Sequence, residues 1–145
     1  MHQISFKMEK IVHQSEYAIA KYDEAKELYT LTYLPETANM RDADWKDLMN
    51  KLLIVTEKLK PKYILDDNRD RLYAYPPEVQ DWTLKLFIDV WHKNGLIKYV
   101  QIVPKDFIGE LSAEQIVELG NVKFSDIFDN TFVQSYEEAL YWLGI

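Results

Sequence analysis

The sequence contains no cysteine, and its 145 residues include only four glycines, five prolines and three histidines. Without cysteine there are no disulfides, thiolate nucleophiles, thiolate zinc sites or iron–sulfur clusters. The glycines stand apart at Gly95, Gly109, Gly120 and Gly144, so no glycine-rich loop offers a backbone cradle for phosphate. His2, His13 and His92 form no His-x-x-x-His pair and complete no Ser-His-Asp order. Positive charge is also scarce: 17 basic side chains face 24 acidic ones, for a net charge of -7. An acidic surface gains nothing from phosphate backbones or anionic lipid heads, so nucleic acid is not expected as a partner. No long apolar run occurs. Lys7, Glu9, Lys10 and Glu16 interrupt the stretch from Met1 to Ile19, so neither a signal peptide nor a membrane span is expected, and a cytoplasmic location follows by default.

What is present is enough for one core. Apolar residues make up 48% of the chain and aromatic residues 14%. A chain of this length buries roughly 68–70% of the surface exposed when unfolded. No repeat, linker or shift in composition divides it, so residues 1–145 read as a single domain.

Hydrophobic periodicity predicts the elements. Phe6 to His13 alternates loosely, and Tyr17–Asp23 and Leu28–Leu34 are rich in Tyr, Thr, Ile and Leu. The polar segment Asp23–Glu27 between them suits a hairpin loop. From Asp42 the period changes to that of a helix, with Trp45, Leu48, Met49, Leu52, Val55 and Leu59 on one side; Asn39 or Asp42 is expected to cap it and Pro61 to close it. Tyr63-Ile64-Leu65, running into Asp66-Asp67, has the form of a strand covered on both faces. A second helix is expected from Pro76-Pro77 to Asn94-Gly95, and a strand over Ile97–Val103. Ser112 with Gln115, and Ser135 with Glu138, predict two further helix starts; Phe132-Val133 lies between them as a last strand. Strands alternating with helices predict an α/β fold: a mixed sheet opened by an antiparallel hairpin, later strands parallel, with about four helices.

In order and spacing, several of these pieces resemble SpoIIAA-like, STAS-type proteins of bacteria over roughly residues 15–143. They are the hairpin Tyr17–Leu34, the Trp45 helix running through Lys60-Pro61-Lys62 into Ile64-Leu65-Asp66, and the helix start Pro76-Pro77-Glu78-Val79-Gln80-Asp81-Trp82. Val103-Pro104-Lys105-Asp106-Phe107, Leu111-Ser112-Ala113-Glu114-Gln115 and the terminal Tyr136–Leu143 complete the set. The resemblance implies a STAS-like mixed sheet with four helices and a regulatory or protein-interaction role without catalysis. In the anti-sigma-factor antagonists of that family, a serine at the start of a helix is phosphorylated. No serine or threonine lies between Lys58 and Thr83, so that switch does not carry over.

Two features remain as candidate sites. Asp66-Asp67-Asn68-Arg69-Asp70 matches the D-D-x-x-D spacing of magnesium-diphosphate motifs, which would make the chain a metal-dependent enzyme. At the end of a strand, with no second acidic motif, the segment reads instead as a turn paired internally with Arg69 or Arg71. The apolar residues of the second helix cover about two-thirds of its circumference, more than a one-sided surface helix needs. That helix is either wedged between the sheet and another helix, or it presents Leu84, Ile88 and Trp91 to a protein partner or a second copy of the chain. Alternatively, Tyr75, Trp82 and Phe87 line a small cavity for an apolar, lipid-like ligand. Loops at the carboxyl ends of parallel strands form the usual functional crevice, so contact residues are expected at Asp66, Asp67, Asn68, Arg69, Tyr75 and Pro76. No catalytic residue, metal or cofactor is expected.

Overall fold

A computed structural model describes residues 9–105 and 128–145. Within them the chain forms one six-stranded mixed sheet: β1 (Glu9–Gln14), β2 (Ala18–Asp23), β3 (Leu28–Tyr33), β4 (Tyr63–Asp67), β5 (Lys98–Ile102) and β6 (Asp129–Val133), side by side in chain order. The first three strands are antiparallel, and β3 through β6 run parallel. Three α-helices accompany them: α1 (Asp42–Leu59), α2 (Pro77–Lys93) and α3 (Tyr136–Leu143). The helix expected from Ser112 lies outside the described residues, as does the first part of the strand expected from Phe6.

Local chemistry accounts for the boundaries. The β2–β3 hairpin turns through Glu27, which takes a left-handed conformation (φ 53°), and Asp23 accepts the Lys26 backbone N–H at 3.1 Å. Neither Asn39 nor Asp42 caps α1. The cap is Arg41, whose backbone N–H donates to the Asp44 carboxylate at 2.9 Å, because Asp44 at the third helical position reaches back to an otherwise orphan donor. Asp42 accepts the Tyr73 hydroxyl instead, at 2.6 Å. Lys60 ends α1 in a left-handed conformation just before Pro61. Pro77 opens α2, and Gly95 at φ +86° follows its last turn. Ser135 caps α3 by accepting the Glu138 N–H at 3.1 Å, as its spacing predicts.

The two faces of the sheet carry separate cores. Alternation along β3, β4 and β5 sends Leu28, Leu65, Val100 and Ile102 to one side, where Ala139 and Leu143 of α3 cover them. The other side carries Tyr29, Leu31, Ile64 and Tyr99 under Trp45, Leu48 and Leu52 of α1 and Phe87 and Trp91 of α2. A buried side chain of this size contributes roughly 1.5–3 kcal/mol relative to exposure. The wide apolar surface of α2 is therefore explained by its position: it packs against α1 as well as the sheet.

Candidate functional site

The register of three parallel strands builds a floor. Tyr29, Ile64 and Tyr99 stand opposite one another in one row; Leu31, Asp66 and Gln101 form the next row toward the carboxyl ends of the strands. All six face α1 and α2, since side chains two residues apart share a face. Polar groups therefore stand in the middle of a sheet whose opposite face buries Leu28, Leu65, Val100 and Ile102.

The walls come from the helices. Trp45 of α1 stacks on Tyr33, with ring centroids 5.4 Å apart, and packs at 5.3 Å from Tyr75. Its indole N–H donates to Thr83 Oγ1 of α2 at 2.9 Å, and Thr83 donates in turn to the Val79 carbonyl at 2.9 Å. This chain of bonds fixes the rotamer of Trp45 and ties the two helices together. Trp91 stacks on Tyr99 at 5.2 Å and meets Phe87 at 5.0 Å. Helices and sheet together enclose a cavity of about 70 Å³, partly open to solvent, with mostly apolar walls and with Tyr29, Asp66, Asn68, Gln80, Thr83 and Gln101 as polar groups. One water needs about 10–15 Å³ of such space, so the cavity admits several heavy atoms of a ligand.

Asp66 sets the electrostatics. Tyr99 donates its hydroxyl to Asp66 Oδ2, while Oδ1 is fully covered and has no hydrogen-bond partner among the described residues. Burial pushes the Asp66 carboxyl up to about 6; the Tyr99 hydroxyl, the nearby Arg71 charge and Asn68 pull the other way without cancelling it. Tyr29 Oη is likewise covered and has no partner among the described residues, and burial with the nearby Asp66 charge raises its pKa. Arg71 does not pair with Asp66. Its guanidinium donates to Asn68 Oδ1 at 2.6 Å and to the Tyr73 carbonyl, and lies 4.5 Å from the centre of the Tyr75 ring.

The rest of the acidic segment is spent on structure. Asp67 points to the opposite face, where Arg69 grips it through Nε at 3.0 Å and Nη2 at 2.7 Å, and the Arg69 backbone N–H adds a third bond at 3.1 Å. Asp70 pairs with Lys105 at 2.9 Å. The D-D-x-x-D spacing thus sends its three carboxylates to three different partners, and no group of three or more His, Asp or Glu side chains is placed to hold a metal among the described residues. The turn pairs internally through Arg69; Arg71 pairs with Asn68.

The candidate contact residues separate accordingly. Asp66, Asn68, Tyr75 and Leu84 line the cavity, as do Phe87 and Trp91. Trp82 does not: it is half-buried beside α1, with Lys46 Nζ 5.3 Å from its ring centre. Pro76 is the residue before the first turn of α2. Trp91, expected in an exposed patch with Leu84 and Ile88, is buried, because the packing of α2 over β5 turns it onto Tyr99; Leu84 and Ile88 are half-buried against the same core. These three residues therefore present no exposed patch. Tyr29, Trp45, Thr83, Tyr99 and Gln101 join the site without having been singled out from sequence. Gln101, a lone amide inside the apolar run Tyr99–Val103, was the one visible signal.

No family model matches the chain, and comparison with curated proteins and with solved structures likewise finds no match. The fold and the site therefore define a class only: an α/β domain with a mixed sheet, antiparallel then parallel, and a cavity between that sheet and two helices. No helix among the described residues is long and apolar enough to cross a membrane.

Proposed function

We propose that this chain is a non-enzymatic binding module that holds a small molecule, with an apolar body and a polar head, between α1, α2 and the sheet. The observation that carries this role is the pair of covered polar atoms, Tyr29 Oη and Asp66 Oδ1, on the floor of an aromatic-walled cavity. A buried polar atom without a partner costs about 1–3 kcal/mol, and a ligand head supplying the missing bonds recovers that cost on binding. Few convergent polar groups within apolar walls are the usual make-up of a ligand site. Native mass spectrometry of the freshly purified protein, followed by a fragment screen read by tryptophan emission, tests the role. Trp45 and Trp91 both border the cavity, so occupancy is expected to change their emission. A folded protein with no small-molecule adduct and no emission response to any fragment would overturn it.

A regulatory role of the STAS-like kind is favoured by one further observation. The segment from Arg69 to Pro76 carries Tyr75 on the cavity side and Leu72, 49% exposed, on the outside. Among the bonds that anchor it are Leu72 N–H to Thr37 Oγ1 at 2.8 Å, Tyr73 Oη to Asp42 at 2.6 Å, and the Arg71 guanidinium to Asn68. Occupancy of the cavity would reach a protein partner through this loop. Hydrogen exchange at residues 71–75 is expected to slow on ligand binding; unchanged exchange there at saturation would remove the regulatory output while leaving the binding role intact.

A further inference from the structure

The polar atoms of the cavity also select the charge of the ligand. Asp66 is the only carboxylate among the described residues that line the cavity, and α1 and α2 contribute no ionisable side chain to it. The ion-paired aspartates among the described residues are Asp44, Asp47, Asp67, Asp70 and Asp81; Asp66 is not one of them. Arg71, a cation that acts on it, is held by Asn68 and the Tyr73 carbonyl. Tyr99 serves Oδ2 and leaves Oδ1 to accept a further bond. A buried carboxylate with no ion-pair partner among the described residues favours a cationic ligand, because a cation that is itself desolvated there recovers Coulomb energy in a low-dielectric surrounding.

The walls favour the same choice. Aromatic faces attract cations through their quadrupoles, most strongly where water is excluded. Two rings already do so here: the Arg71 guanidinium carbon lies 4.5 Å from the centre of Tyr75 and 6.0 Å from that of Trp45. A primary ammonium has three donors on a compact head, enough to serve Asp66 Oδ1 and Tyr29 Oη together. A carboxylate or phosphate would meet Asp66 directly and be repelled, and an uncharged alcohol would leave the charge of Asp66 unbalanced.

We propose that the cavity takes a small organic ammonium, a protonated primary amine on a short apolar body, with its nitrogen between Asp66 Oδ1 and Tyr29 Oη and its body against Trp45, Phe87 and Trp91. The assignment rests on the binding role above and adds the charge of the ligand to it. The volume of about 70 Å³ limits the enclosed part to a head and a few carbons, and any longer body passes out of the open side.

The groups that act on Asp66 are Tyr99 of β5, Asn68 and Arg71 of the loop that follows β4, and the neighbouring Asp67 of β4 itself; no residue of α1 or α2 is among them. Protonation of Asp66 removes the anion that the ammonium requires. With the carboxyl at about 6, amine binding is expected to be near its maximum at pH 7.5 and about tenfold weaker at pH 5.

The test uses three probes of matched length, n-butylamine, n-butanol and butyrate, titrated against the full chain at pH 7.5 and read by tryptophan emission and by line broadening of the probe in NMR. The amine is expected to bind at least tenfold tighter than the alcohol and butyrate weakest. Asp66→Asn should abolish the preference for amine over alcohol, and Tyr29→Phe should weaken the amine about three- to tenfold. Amine and alcohol binding equally, or butyrate binding best, would overturn the ammonium assignment while leaving the cavity a binding site. Failure of all three to bind a folded protein would overturn the binding role beneath it. An amine preference unchanged in Asp66→Asn would trace to the acidic surface and also refute the assignment. Should Asp66→Asn not fold, Tyr29→Phe and the comparison of pH 5 with pH 7.5 carry the same decision.

Discussion

Replacing Asp66 by asparagine should make the protein more stable near neutrality and change the shape of its pH–stability curve. The folded carboxyl titrates at about 6, against an ordinary value of 3.8. Between those two values the folded state holds a proton that the unfolded chain has released. The sign follows directly: the contribution of Asp66 is most favourable below about pH 4, falls as pH rises through 6, and is level above. At about 1.4 kcal/mol per pH unit, the gap amounts to about 3 kcal/mol, an upper figure because the pocket is partly open to solvent. Asparagine keeps the shape and can still accept from Tyr99, but has no charge to desolvate. Urea denaturation of both proteins at half-unit steps from pH 4 to 7.5, followed by far-ultraviolet circular dichroism, isolates the effect, since every other titrating group cancels in the difference. The stability of Asp66→Asn relative to wild type should rise by about 2–3 kcal/mol across that interval, or roughly 4–12 °C in melting temperature for a domain of this size. A difference that stays flat with pH would mean that Asp66 is solvated like a surface carboxylate, and the cavity floor described above would not exist.

Other perturbations probe the frame around the cavity. Thr83→Val keeps the volume but removes the acceptor of the Trp45 indole N–H, and is expected to cost about 1–3 kcal/mol in chemical denaturation. Arg69→Ala strips both side-chain hydrogen bonds from Asp67, whose side chain is only 7% exposed, and should cost about 1–3 kcal/mol, whereas Lys105→Ala breaks an exposed pair with Asp70 and should cost less than about 1 kcal/mol. Equal losses from those two variants would show that the Asp67–Arg69 clamp is not structural. Gly95→Ala places a Cβ at φ +86° and 3.1 Å from Lys62 Nζ; the flexible lysine can withdraw but the backbone strain remains, so a melting temperature lowered by a loss of about 1 kcal/mol is expected.

Much of the fold is legible from periodicity, because each signal there is local. Trp45, Leu48, Met49 and Leu52 repeat at helical spacing and are all buried; Pro77 and Gly95 bound α2 through backbone rules that need no tertiary contact. Alternation marks β2 and β3, and helix-length connections predict the parallel pairing of β4 with β5 that the register displays. Caps are less legible. The spacing around Asp42 offers two good capping residues, yet Arg41 takes the place because the Asp44 side chain supplies the acceptor. The breadth of the apolar surface on α2 is visible in sequence, but its use is not: an outward-facing Trp91 and one stacked on Tyr99 share the same helical pattern. Only the position of β5 decides between them.

The acidic pair Asp66-Asp67 shows where sequence reading of the site must stop. Both residues belong to one strand, carry the same charge and differ by a single position, so alternation alone sends them to opposite faces. Asp67 then finds its partner two residues away, and a turn formed by its own neighbours satisfies it. Asp66 depends on a tyrosine 33 residues later in the chain, which the parallel register of β4 with β5 brings within reach. That partner satisfies one oxygen, and the same register that folds the sheet leaves the other, which is buried, without a partner among the described residues. A carboxylate used only for folding would be expected to resemble Asp67, closed on every side by bonds from its own loop. Asp66 is not closed in that way, so a cation bound beside it that returned its carboxyl toward the ordinary range would stabilise the folded protein by a corresponding amount.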